Sequence, residues 1–98
     1  MRLLESELSF IKQTFYDIFH DGKIYLFGSR VNDEKKGGDI DLYIDLNHFL
    51  STKEKMELKS KFRLALYALI GEQKIDIIIS KDKKRSIEQE ILKTGVLL

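Results

Sequence analysis

The sequence predicts an α/β (α+β) domain, a small mixed sheet of three to four strands with flanking helices. Three observations carry this. Apolar residues recur at helical spacing in two long segments, three short runs alternate or read as continuous β-formers, and glycines or capping residues punctuate the joins. The 98 residues form one domain spanning 1–98, and a chain of that size buries roughly two-thirds of its unfolded surface.

Each element has its own warrant. From Leu4 to Phe19, the residues Leu4, Leu8, Ile11, Phe15, Ile18 and Phe19 line one helical face, and Gly22 is a suitable stop beyond it. "KIYLF" at 23–27 then reads as a short buried strand ending at Gly28. "DIDLYID" at 39–45 alternates and reads as a second strand. "STKE" at 51–54 has the capping-box pattern, with Glu54 reaching back to Ser51. The helix that follows keeps Leu58, Phe62, Ala65, Leu66 and Leu69 on one face and ends at Gly71. "KIDIIIS" at 74–80 is a third strand. Ser86 and Gln89 form a second capping box opening a last short helix, which stops near Gly95. For the apolar "GVLL" tail, packing on the sheet and packing against a partner are both open.

Composition excludes several classes of function. Seventeen Lys and Arg stand against 16 Asp and Glu, a net charge of +1, so strong general nucleic-acid binding is not expected. There is no cysteine, hence neither a disulfide framework nor a thiolate metal site. Glu5, Glu7, Lys12 and Asp17 interrupt any signal-peptide core or membrane span near the start. A soluble cytoplasmic protein is the expectation.

The anomaly is the acid in the strands. Side chains alternate along a strand, so Ile40, Leu42 and Ile44 face one way and Asp39, Asp41, Tyr43 and Asp45 the other. In the third strand Ile75, Ile77 and Ile79 share a face opposite Asp76 and Ile78. If the two strands are neighbours, Asp39, Asp41 and Asp76 share one face. Two strand carboxylates two residues apart lie about 7 Å from each other and repel by about 2 kcal/mol at an effective dielectric of 20. A divalent cation reverses that sign, since oxygen-rich clusters suit Mg²⁺ and Mn²⁺. The polar face of an exposed strand is the plainer alternative. Ahead of these residues, Gly28-Ser29 permits a sharp turn and close approach of a ligand, and Arg30 could bond a phosphate. An ordinary turn with Ser29 as a helix cap explains the pair equally well.

The conjunction is more specific than its parts. A strand, Gly-Ser, nine residues, Asp-x-Asp in a strand, and a later strand with one aspartate resembles the DNA polymerase beta-like nucleotidyltransferase superfamily. Within it, the chain is similar to the minimal nucleotidyltransferases. The matching stretches are "FGSR" at 27–30, "GGDIDLYID" at 37–45 and "KIDIII" at 74–79, and the closing "IEQEILKTGVLL" also looks like the family's terminal helix and tail. Gly38 departs from the serine that many relatives carry before the first aspartate.

The resemblance implies a site and a reaction. Gly28, Ser29 and Arg30 would hold the nucleotide's phosphates, while Asp39, Asp41 and Asp76 would ligate Mg²⁺, two ions being expected and Mn²⁺ a substitute. Asp76 would also attract the proton of an acceptor hydroxyl. Such chemistry rests on positioning and charge neutralisation, so few residues suffice. Minimal nucleotidyltransferases resemble antitoxins that modify a tyrosine of a HEPN-domain toxin with AMP from ATP. A chain with no separate substrate domain fits a protein acceptor, in a hetero-complex or with self-association. The alternatives are an antitoxin acting by binding alone and the nucleotide-binding subunit of a split enzyme. A short helical protein encoded next door would favour the toxin partner; a longer substrate-binding protein would favour the split enzyme.

Other polar features carry no chemistry on this reading. His20 and His48 stand at element ends as caps or surface residues. "KDKKR" at 81–85 is a solvated turn or, failing that, a contact for a partner or nucleic acid. The lysines at 53, 55, 59 and 61 form the wet side of the second helix, and Tyr43 and Asp45 are candidates to support the metal ligands from behind.

Overall fold

The computed structural model describes residues 5–28, 40–46, 48–70, 74–82 and 84–98. In chain order these form α1 (Glu5–Phe19), β1 (Lys23–Phe27), β2 (Ile40–Asp45), α2 (Thr52–Ile70), β3 (Ile75–Ile79), α3 (Ser86–Thr94) and β4 (Val96–Leu97). The architecture is α+β, with a four-stranded mixed sheet in the order β3-β2-β1-β4. β1 pairs antiparallel with β2 and with β4, and β2 runs parallel to β3, with α2 as the crossover.

One face of the sheet carries the apolar core. Ile24, Leu26, Ile40, Leu42, Ile44, Ile75, Ile77 and Ile79 bury there against Ile11, Phe15 and Phe19 of α1 and Phe62 and Leu66 of α2. Phe19 and Phe62 meet edge to face at 5.6 Å, joining the two helices over the sheet. The strand alternation read from the sequence thus places the isoleucines correctly. On α2 the expected stripe narrows: Phe62 and Leu66 are buried, while Leu69 is 48% exposed.

Helix ends follow local chemistry. α1 ends at Phe19 as read, and the stop is made at His20, which takes φ +69° and whose N–H bonds the Tyr16 carbonyl at 3.0 Å. His20 is therefore a backbone cap. At α2 the capping box forms as read: Glu54 N–H donates to Ser51 Oγ and Ser51 N–H to Glu54 Oε1, both at 3.2 Å. The second box does not form. Arg85 is the N-cap of α3 and no side chain caps it; the Lys81 and Asp82 N–H groups ahead of the helix donate to Glu88.

The "GVLL" tail packs on the sheet. Val96 and Leu97 pair with Leu26 and Tyr25 of β1, and the Leu98 N–H reaches the Ile24 carbonyl at 2.9 Å. Among the described residues, no helix is long and apolar enough to cross a membrane.

Candidate active site

The sheet's second face holds the acid. β2 and β3 are neighbours, and their parallel register sets Asp41 directly against Asp76. Register partners on adjacent strands point to the same face and stand about 5 Å apart. Asp41 is half-buried and Asp76 exposed, so the pair opens to solvent. The condition on which the acidic face depended is met for these two. Asp39, Ser29 and Arg30 lie outside the described residues. Among the described residues no three acidic or histidine side chains cluster as a metal site.

Gly28 completes this end of the sheet. It follows β1, whose Phe27 is the register partner of Asp41, and its φ of +76° is one that side chains rarely adopt. A Cβ at this position would run into the Asp41 carboxylate, with the Asp41 Cγ 3.1 Å away. Glycine is thus required twice, once by the backbone turn and once by the carboxylate lying against it. Two carboxylates from adjacent strands with bare backbone beside one of them form a hard-oxygen donor set, and they fit Mg²⁺ or Mn²⁺. Asp41 and Asp76 would hold such an ion.

Behind this pair the same face is closed by α3. Tyr43, two residues along β2 from Asp41, is fully buried, and its ring lies 6.0 Å from that of Tyr25 on β1. Its hydroxyl donates to Glu88 Oε1 of α3 at 2.7 Å. Glu88 is itself fully buried. It also accepts the Lys81 N–H at 3.1 Å and the Asp82 N–H at 2.9 Å, with Arg85 Nη1 3.6 Å from Oε2. Burial works against its charge, but the Asp82 N–H, the Tyr43 hydroxyl, the Lys81 N–H and Arg85 outweigh it and hold the carboxyl below its usual range. For Tyr43, burial leads, and the bond and charge of Glu88 add to it, keeping the phenol protonated well beyond its ordinary range.

Glu88 is the residue that sequence reasoning missed. The signal was there: it sits one turn before the buried Ile91, a charged residue on the apolar face of an amphipathic helix. The turn that carries the basic run is tied to this carboxylate by its backbone. The Lys81 and Asp82 backbone wraps the Glu88 carboxylate, while the Lys81, Lys84 and Arg85 side chains stay exposed. Asp45 is buried on the same face further along β2. Lys55 departs from the expected wet side, being half-buried with Nζ donating to the Ser80 carbonyl at 3.1 Å. His48 lies at the surface, with Nδ1 3.3 Å from the Asp21 carboxylate.

No curated protein matches the chain. A family profile described as "Polymerase beta, Nucleotidyltransferase" matches residues 9–98, from within α1 to the last residue of the sequence. The match covers nearly the whole chain, which belongs to the polymerase beta nucleotidyltransferase family.

Proposed function

We propose that the protein transfers AMP from ATP to a tyrosine hydroxyl of a HEPN-type toxin partner, and so acts as an antitoxin. The observation that carries the transfer chemistry is the register of Asp41 against Asp76 beside Gly28. Nucleotidyl transfer as a class follows from the family. The protein acceptor is supported by the resemblance of "FGSR", "GGDIDLYID" and "KIDIII" to the minimal nucleotidyltransferases.

The roles of the residues follow from their chemistry. Gly28 lets the triphosphate approach the backbone, and Ser29 and Arg30 are assigned to its outer phosphates from their place after β1. Asp41 on β2 and Asp76 on β3, with Asp39 by the resemblance of its Asp-x-Asp motif, are assigned to hold divalent cations. Bound Mg²⁺ supplies charge neutralisation for the phosphates and the departing pyrophosphate. The acceptor oxygen forms a bond to the α-phosphorus as the bond from that phosphorus to the bridging oxygen breaks. Pyrophosphate leaves, and the hydroxyl proton passes to the Asp76 carboxylate, which is exposed and reachable from solvent.

The test uses ATP labelled at either the α or the γ phosphate, with Mg²⁺, in host lysate containing the protein encoded beside this one. Label should enter a protein band from the α position only, and an Asp39→Asn, Asp41→Asn double variant should abolish it. Absence of α label while the neighbouring protein is demonstrably present would overturn the transferase reading.

A further inference from the structure

The Glu88 carboxylate bonds β2 on one side and the turn beyond β3 on the other. On one side it accepts the hydroxyl of Tyr43 in β2, two residues from Asp41, at 2.7 Å. On the other it accepts the Lys81 and Asp82 N–H groups, which lie two and three residues past the end of β3, at 3.1 and 2.9 Å. β3 is the strand of Asp76. A single side chain with no exposure therefore ties the strand of one site carboxylate to the exit of the strand of the other.

Stability alone does not account for this choice. Replacing a buried ion by packed apolar groups of like volume is commonly neutral or stabilising, so a charge kept in the interior is weak evidence for added stability. Helix α3 already has Ile91, 3% exposed, as an apolar anchor. What a charged acceptor adds is direction, because its bonds to a hydroxyl and two N–H groups fix distances as apolar contacts do not. Sites that bind cations need their ligands held to fractions of an ångström, and the groups behind the ligands supply that.

We propose that Tyr43 and Glu88 are a positioning pair, which sets β2 and β3 against one another so that Asp41 and Asp76 present a pre-formed cation site. The inference deepens the reading above and rests on Asp41 and Asp76 being cation ligands. Neither member of the pair touches the cation or the nucleotide; both act through the strands.

The test reads cation binding directly, by the loss of the free Mn²⁺ paramagnetic resonance signal on titration of the protein in the absence of nucleotide. The proteins compared are the wild type, Tyr43→Phe, Glu88→Gln, the double variant and Ser51→Ala. The last weakens the cap of α2, the helix that packs on the opposite, apolar face of the sheet, and controls for lost stability. Circular dichroism at the same temperature establishes the folded fraction. Tyr43→Phe and Glu88→Gln should each weaken Mn²⁺ binding per folded molecule by about five-fold, the equivalent of one ordinary hydrogen bond. The double variant should be no weaker than the weaker single variant, because the two residues act as a unit. Ser51→Ala should bind as wild type does. Unchanged binding in Tyr43→Phe, or additive losses in the double variant, would overturn the pair's role while leaving the site intact. A wild-type protein that binds no Mn²⁺ would overturn the site itself, and the pair's role with it.

Discussion

Asp41 of β2 and Asp76 of β3 are register partners across the parallel strand pair, on the sheet face opposite the apolar core. A sheet built only for stability gains nothing from facing carboxylates, since like charges directly across strands repel. Removing Asp41 should therefore separate function from folding. Asp41→Asn should lower nucleotidyl transfer by at least about 100-fold through the lost cation ligand. The fold should survive, since the apolar core lies on the other face of the sheet and is untouched by the change. Labelled-nucleotide transfer and a melting curve on one preparation check both halves.

Gly28→Ala makes a different prediction. The φ of +76° disfavours a side chain, and the new Cβ would displace the Asp41 carboxylate. A stability loss of about 1–2 kcal/mol is expected, together with loss of Mn²⁺ binding. Gly22→Ala is the matched control. There φ is +97° and the Cβ would meet the Asp45 carbonyl oxygen, so stability should fall with binding per folded molecule retained. Urea midpoints and Mn²⁺ titrations of the two variants make the comparison.

The capping box of α2 should behave as a local contribution. Ser51→Ala removes the oxygen that accepts the Glu54 N–H, at a cost of about 1 kcal/mol. Denaturant unfolding should show this as a lower midpoint at unchanged slope, with transfer activity per folded molecule unaltered.

Acid should loosen α3 through Glu88. The groups facing this carboxylate are Tyr43 from β2, the Lys81 and Asp82 backbone from the turn, and Arg85 from its own helix. Its folded-state pKa lies below the ordinary 4.5, so its contribution is fully present above that value. It should be lost progressively as pH falls below 4.5 toward the lower folded-state value. In Glu88→Gln that part of the acid slope should vanish. Stability against pH in the two proteins, by urea unfolding, is the measurement.

Much of this organisation is legible in the chain itself. Alternation in "IDLYID" and "IDIII" places isoleucine and acid on opposite faces without any structure, because the strand period of two leaves no other arrangement. The capping box at Ser51 and Glu54 is equally local. What escaped was set by distant contacts. The place of Glu88 on the apolar stripe of α3 is local, but the partner that satisfies it, Tyr43, stands 45 positions earlier and no local pattern names it. The two-residue β4 is too short to show a period, and only its bonds to β1 define it. Ser86 and Gln89 matched a local pattern that tertiary contacts displaced, since Glu88 draws the preceding turn onto itself.

The Tyr43–Glu88 bond also orders events in time. The apolar core joins α1, α2 and the first three strands, and buries its isoleucines and phenylalanines with no residue of α3 among them. Collapse of that core can thus precede docking of α3, whose partner on β2 must wait for contact across 45 positions. The last helix is then a separable unit, and its amides should exchange with solvent deuterons through openings smaller than global unfolding. Each such opening should leave the core standing while the acidic face loses its backing, so exchange of the α3 amides and weakening of cation binding should rise together.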